Sequence, residues 1–184
     1  MRTRIVIVAF PDRRSFQPHL PLDDGKRRDL AGYVMHTPAG HWIGYAEYDP
    51  RGCLVAHHEY LHTLVADAFE HVPLCLNEGL AEYFSTFTPS PDGARFGHSL
   101  PWHAYALGAH ELFSADELFA TGPDAPAYRG GEAQETFYAE SWALVLYLMR
   151  TNSGSARFMK LVSRIADGAP ARQAFAAVYP EEPW

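Results

Sequence analysis

Three features of the chain predict an α+β fold, with a small N-terminal β-sheet followed by a helical region. Short apolar runs rich in β-branched residues are confined to residues 1–50, which read as mainly sheet. Residues 51–184 carry longer segments with helical apolar spacing. Strand-like and helix-like segments do not alternate, as a parallel βαβ sheet would require. The 184 residues, 47% of them hydrophobic, suffice to bury a core without disulfides, so one domain spanning 1–184 is expected.

In chain order, Arg4-Ile5-Val6-Ile7-Val8-Ala9-Phe10 has the composition of a buried strand, which Pro11 ends. Residues 12–29 carry Pro18, Pro21, Gly25 and many charges, and read as a surface loop with room for a short helical turn. Gly32–Thr37 and His41–Tyr48 flank Pro38-Ala39-Gly40 and read as a hairpin. Asp49-Pro50-Arg51-Gly52 then breaks the sheet. Leu54 to Phe69 is the first long helix, with Leu54, Leu61, Leu64, Val65, Ala68 and Phe69 on its apolar face.

Beyond Pro73, a second helix is expected from Asn77, whose side chain suits an N-cap, to about Phe87. Residues 88–101 read as a loop rich in Pro and Gly, followed by shorter helices near 102–110 and 114–120. Residues 135–150 form a helix whose stripe from Trp142 to Met149 belongs to the core. Helices at 154–167 and 170–178 close the chain, and no internal repeat is present.

A formal charge of −7 provides no basic field, which excludes nucleic acid and anionic membrane surfaces as expected partners. No apolar run reaches membrane-spanning length. The arginines before Ile5–Phe10 are followed by too short an apolar core for a signal peptide, and no small-residue cleavage site follows. A cytoplasmic location is therefore expected, or a secreted one if the chain is cut from a longer precursor. Cys53 and Cys75 are too few for a disulfide scaffold and lack zinc-module spacing, so both read as reduced core thiols.

The chemistry is concentrated in His58-Glu59-Tyr60-Leu61-His62. Residues four apart on a helix lie one above the other, so His58 and His62 can grip one ion while Glu59 reaches the water beside it. Downstream, Asn77-Glu78-Gly79-Leu80-Ala81-Glu82-Tyr83 offers Glu78 as a third ligand. Two imidazoles and one carboxylate suit a single catalytic Zn2+ that keeps a position for water. Zinc acidifies such a water, and Glu59 is placed to take its proton and return it to a leaving amine. Glu82, one turn beyond Glu78, is placed to accept the second ring N–H of a ligating histidine. His57 lies on another helical face, and His71, His98, His103 and His110 read as surface or capping histidines.

Together with Tyr138-Ala139-Glu140-Ser141-Trp142-Ala143-Leu144-Val145-Leu146-Tyr147-Leu148, these two segments resemble the gluzincin metallopeptidases, especially the small bacterial peptidase-MA-like domains, over roughly residues 31–179. The resemblance implies a zincin-like fold with His58, His62 and Glu78 as zinc ligands and Glu59 as the catalytic carboxylate. Glu82 matches the acidic residue that supports the ligands in thermolysin-like members, and Tyr138 matches a tyrosine that stabilises the oxyanion. The implied activity is hydrolysis of peptide bonds in a peptide or protein substrate, with endopeptidase action preferred. The outer hairpin strand would then take up an extended substrate by β-addition.

Two departures from the family pattern stand out. The separation of His62 and Glu78 is shorter than in thermolysin or the aminopeptidase branch, which requires a trimmed connecting loop. No motif for binding a substrate amino terminus is present, so aminopeptidase activity is not implied. Ala68 occupies the position of the third histidine of metzincins, which removes that alternative. The same residues also allow a different class of function, a non-catalytic zincin-like interaction module with a structural or vestigial zinc site. A free strand edge serves a substrate or a second copy of the chain equally well.

Overall fold

The computed structural model describes residues 3–23, 25–150, 154–182 and 184. It is a mixed α+β structure in which helices predominate. The chain forms two compact units, Met1–Asp67 with Phe84–Phe96, and Ala68–Tyr83 with Gly97–Trp184.

The first unit begins with β1 (Ile5–Phe10), α1 (Arg13–Phe16), a 3-10 turn at Gln17–His19, and the short strands β2 (Leu22–Asp23) and β3 (Lys26–Arg27). The expected hairpin follows as β4 (Gly32–Thr37) and β5 (Gly40–Ala46), paired antiparallel from Gly32↔Tyr45 to Thr37↔Gly40. Gly40 has φ +130°, and a Cβ there would collide with the Arg4 carbonyl, so the turn requires glycine. β1 lies parallel to β5, from Ile5↔His41 to Phe10↔Ala46, giving a three-stranded sheet in the order β1-β5-β4.

β1 is therefore an edge strand. Ile7 is 52% and Val8 37% exposed, whereas Ile43 on the central β5 is 1% exposed. The expectation of a buried strand fails because apolar composition does not distinguish an edge from a centre. Residues 12–29 are also more structured than a surface loop, because a parallel pair needs a long crossover and this one supplies a cover for the sheet. Phe16 and Leu20 pack with Ala46, Phe10, Leu30 and Tyr33, and α1 is capped by Asp12, which accepts from the Ser15 N–H at 2.8 Å.

Helix α2 (Gly52–Ala68) begins from an Asp49 turn in which the Arg51 N–H donates to Oδ1 at 2.8 Å. It lies against β4 so closely that a Cβ on Gly32 would meet Val55 and the Glu59 Cγ. Thr63 and Val65 are buried, but Leu64 and Ala68, expected on the apolar face, are exposed. Part of the segment expected to be a loop forms a small antiparallel pair, β6 (Thr88–Ser90) with β7 (Gly93–Arg95).

Helix α3 (Leu74–Ser85) contributes most of its length to the second unit. It starts earlier than expected because Pro73 sets up the first turn, its carbonyl accepting from the N–H groups of Leu76 and Asn77. Asn77 is thus inside the helix and is not its cap. The remaining helices are α4 (Pro101–Ala109), α5 (Ala115–Ala120), α6 (Gly131–Arg150), α7 (Gly154–Ala166) and α8 (Ala171–Val178). All five lie close to their expected positions, with α6 beginning before the expected residue 135. Helix α6 packs against α4 and α7 and supplies the buried Phe137, Trp142, Val145 and Leu148, in keeping with the predicted core stripe. Among the described residues, no helix is long and apolar enough to cross a membrane.

The two cysteines differ. Cys53 is exposed, contrary to the core reading, because it occupies the outer side of the first turn of α2. Cys75 is fully buried, and burial pushes its thiol up to about 12. A thiol-exchange reagent at pH 8 is therefore expected to titrate Cys53 in the native protein and Cys75 only after denaturation. Equal native rates at both sites, followed by mass spectrometry of the labelled peptides, would contradict this assignment.

Candidate metal centre

Helix α2 carries two of the candidate donors, His58 and His62. His58 and His62 stand one turn apart with their Nε2 atoms 3.0 Å apart and their rings edge to face at 80°. Zinc–nitrogen bonds of about 2.0–2.1 Å in a tetrahedral site place two nitrogens roughly 3.3 Å apart, so the pair lies near ligand separation. Glu59, next in sequence, passes beside Gly32 of β4, where the missing side chain leaves it room. His57 is on a separate face, as expected. Its Nδ1–H donates to the Ser85 carbonyl at 3.0 Å, satisfying an acceptor at the end of α3.

Helix α3 carries the third candidate donor, Glu78. Glu78 is 2% exposed, and the Tyr128 hydroxyl donates to its Oε1 at 2.5 Å. Tyr128 ends a 3-10 turn at Pro126–Tyr128 and stacks on Tyr138 with ring centroids 5.9 Å apart. The Tyr138 hydroxyl donates in turn to the Tyr128 oxygen at 3.3 Å. Burial first, and then the nearby Glu78 carboxylate, hold the Tyr138 phenol well above the ordinary tyrosine value, so it remains a proton-bearing donor at neutral pH.

Glu82 lies one turn along α3, with an oxygen 3.1 Å from the Nε2 of His103. His103 is not the surface or capping residue expected from the sequence: it is 1% exposed and packs under Trp142, with ring centroids 5.2 Å apart. His110 is half-buried and donates through Nδ1 to Thr136 Oγ1 at 3.0 Å, since that hydroxyl spends its own proton on the Glu132 carbonyl. His71 and His98 are exposed, as expected.

Among the described residues, His58, His62 and Glu78 form a group whose potential ligand atoms all lie within 4.8 Å of one another. No protein-family model matches the chain, and neither a curated protein nor a solved structure does. The donor set is chemically suited to a transition metal. Two imidazoles and one carboxylate are a donor set used by zinc and accepted by other transition metals, and a carboxylate as buried as Glu78 belongs to the class usually paired or metal-bound.

Sequence reasoning missed Tyr128, because it touches Glu78 across 50 residues and no short motif records such a contact. It also missed a relay on the sheet. The His41 Nε2–H donates to Asp67 at 2.9 Å, leaving its Nδ1 to accept from the His36 Nδ1–H at 2.9 Å. The hairpin register places His36 opposite His41, so that pair was in principle readable from the turn. Burial, then the neighbouring His41 and His62, push His36 below the ordinary histidine range, while the hydrogen bond from His41 holds Asp67 low.

Proposed function

We propose that the chain is a zinc-dependent, gluzincin-type hydrolase of peptide bonds, with endopeptidase action, a zincin-like fold and one Zn2+ held by His58, His62 and Glu78. The observation that carries the reading is the proximity of the three donor residues, with two imidazole nitrogens already near ligand separation. When bound, zinc would supply Lewis acidity to the attacking water and to the scissile carbonyl.

The chain's own residues account for the remaining roles. Glu59 takes a proton from the attacking water on its carboxylate and passes it to the leaving nitrogen as the C–N bond breaks. Tyr138 donates its hydroxyl proton in a hydrogen bond to the carbonyl oxygen as negative charge develops there. The bond it makes to Tyr128 at 3.3 Å is longer than a normal O–H···O bond, so exchanging it for a substrate oxygen costs little. Glu82, one turn beyond Glu78 on α3, meets the non-ligand His103 and gives the site a half-buried acidic neighbour, and β4, at an edge of its sheet, offers backbone groups to an extended peptide.

A peptide pool of diverse sequence, incubated with the zinc-loaded protein and read by mass spectrometry, tests this proposal. Cleavages that vanish with a chelator, return with zinc and are absent in Glu59→Gln are expected. Stoichiometric zinc without any cleavage would overturn the enzymatic reading and favour the zinc-bearing interaction module.

A further inference from the structure

We infer that Tyr128 is a positioning residue that holds Glu78 as a one-oxygen ligand and so keeps a coordination position open. The inference rests on the metal site proposed above and assigns a role to a residue outside its motifs. A carboxylate can bind a cation through one oxygen or through both. With His58 and His62, a one-oxygen Glu78 gives three ligand atoms, and a two-oxygen Glu78 gives four. Only the first leaves a tetrahedral position for water or a carbonyl.

The geometry favours the first arrangement. The Tyr128 hydroxyl donates to Oε1 at 2.5 Å, within the range of strong O–H···O⁻ bonds, which draws charge from that oxygen and leaves Oε2 as the better donor to a cation. The hydroxyl is held in place from several sides. The Tyr128 N–H donates to the Ala125 carbonyl at 2.9 Å, and Gln134 donates to the Tyr128 carbonyl at 2.9 Å. Its ring meets Phe137 edge-on at 5.8 Å and stacks on Tyr138. The carboxylate is equally constrained, because Gly79 presses the α3 backbone against α6. A Cβ at that position would strike the Ser141 carbonyl. Neither partner needs to be ordered when a cation arrives, which is how supporting hydrogen bonds tune a metal site.

The test uses the full chain, zinc alone and cobalt(II) alone as probes, so it needs no substrate. Tyr128→Phe keeps the ring and its stacking but loses the donor. Its zinc affinity, measured by competition with a chromophoric chelator, is expected to fall about 10–100-fold. The visible bands of its cobalt form should weaken relative to wild type, as the site moves from four-coordinate towards five-coordinate. Coincident thermal melts of the metal-free proteins establish that the variant is folded. Where it is not, Gln134→Ala, which releases the turn but keeps the hydroxyl, should move both readouts the same way by less. A folded variant with the affinity and cobalt bands of wild type would overturn the role of Tyr128 while leaving the metal site intact. A wild-type chain that takes up neither metal would overturn both.

Discussion

Glu59→Gln is expected to keep the zinc content and thermal stability of wild type while peptide hydrolysis falls by about 10²–10⁴-fold, the usual contribution of a general base. Gln retains the length and shape of Glu, so the close passage beside Gly32 is undisturbed. It also leaves His58 and His62 on their faces of α2. What it lacks is a carboxylate able to take a proton from water and return it to nitrogen. Initial rates on the peptides cut by wild type, with zinc measured on the same samples, give the comparison. A rate close to that of wild type at full zinc content would remove Glu59 from the mechanism.

Gly79→Ala carries the largest expected effect on stability, and Gly108→Ala should act in the opposite direction. Both glycines lie in helices, where alanine gains about 1 kcal/mol of intrinsic propensity. At Gly79, however, the new methyl would sit 2.7 Å from Val145 Cγ2 and strike the Ser141 backbone carbonyl. A helix backbone cannot swing aside as a side chain can, and overpacking of this kind costs about 1–3 kcal/mol or more. The net expectation is a loss of roughly 1–2 kcal/mol and a fall in Tm of about 2–8 °C. Gly108 has nothing within 4 Å of the built Cβ, so the same change there should stabilise by about 0.4–1 kcal/mol. Parallel thermal melts decide between these outcomes, and equal Tm shifts at the two sites would show that α3 does not press on α6 as described.

The features read correctly from the sequence are those set by local chemistry. Pro38-Ala39-Gly40 marked the hairpin, whose register from Gly32↔Tyr45 to Thr37↔Gly40 then follows from one turn. The helical spacing of Trp142, Val145 and Leu148 identified the buried side of α6. His58 and His62 needed only a helix to face each other, and the helix is there. Errors arose where tertiary structure decides. Nothing in Ile7 and Val8 says that β1 takes a neighbour on one side only, and Leu64 looks as apolar as Val65 although one is exposed and the other buried. Asn77 has a capping side chain, but Pro73 had already started the helix. Phe16 and Leu20 lie among prolines and charges that suggested a loop, yet they form a core with Ala46. Tyr128 and His103 meet partners on distant segments, Glu78 and Glu82, and no spacing rule reaches that far.

The central claim is that His58, His62 and Glu78 bind one zinc ion. Elemental mass spectrometry of the untagged protein, purified without chelator or added metal, tests it most directly. The expected result is close to one zinc per chain, lost when His62 is replaced by alanine in a variant that remains folded. Folded wild-type protein that holds no metal, and takes up none when zinc is offered, would contradict it.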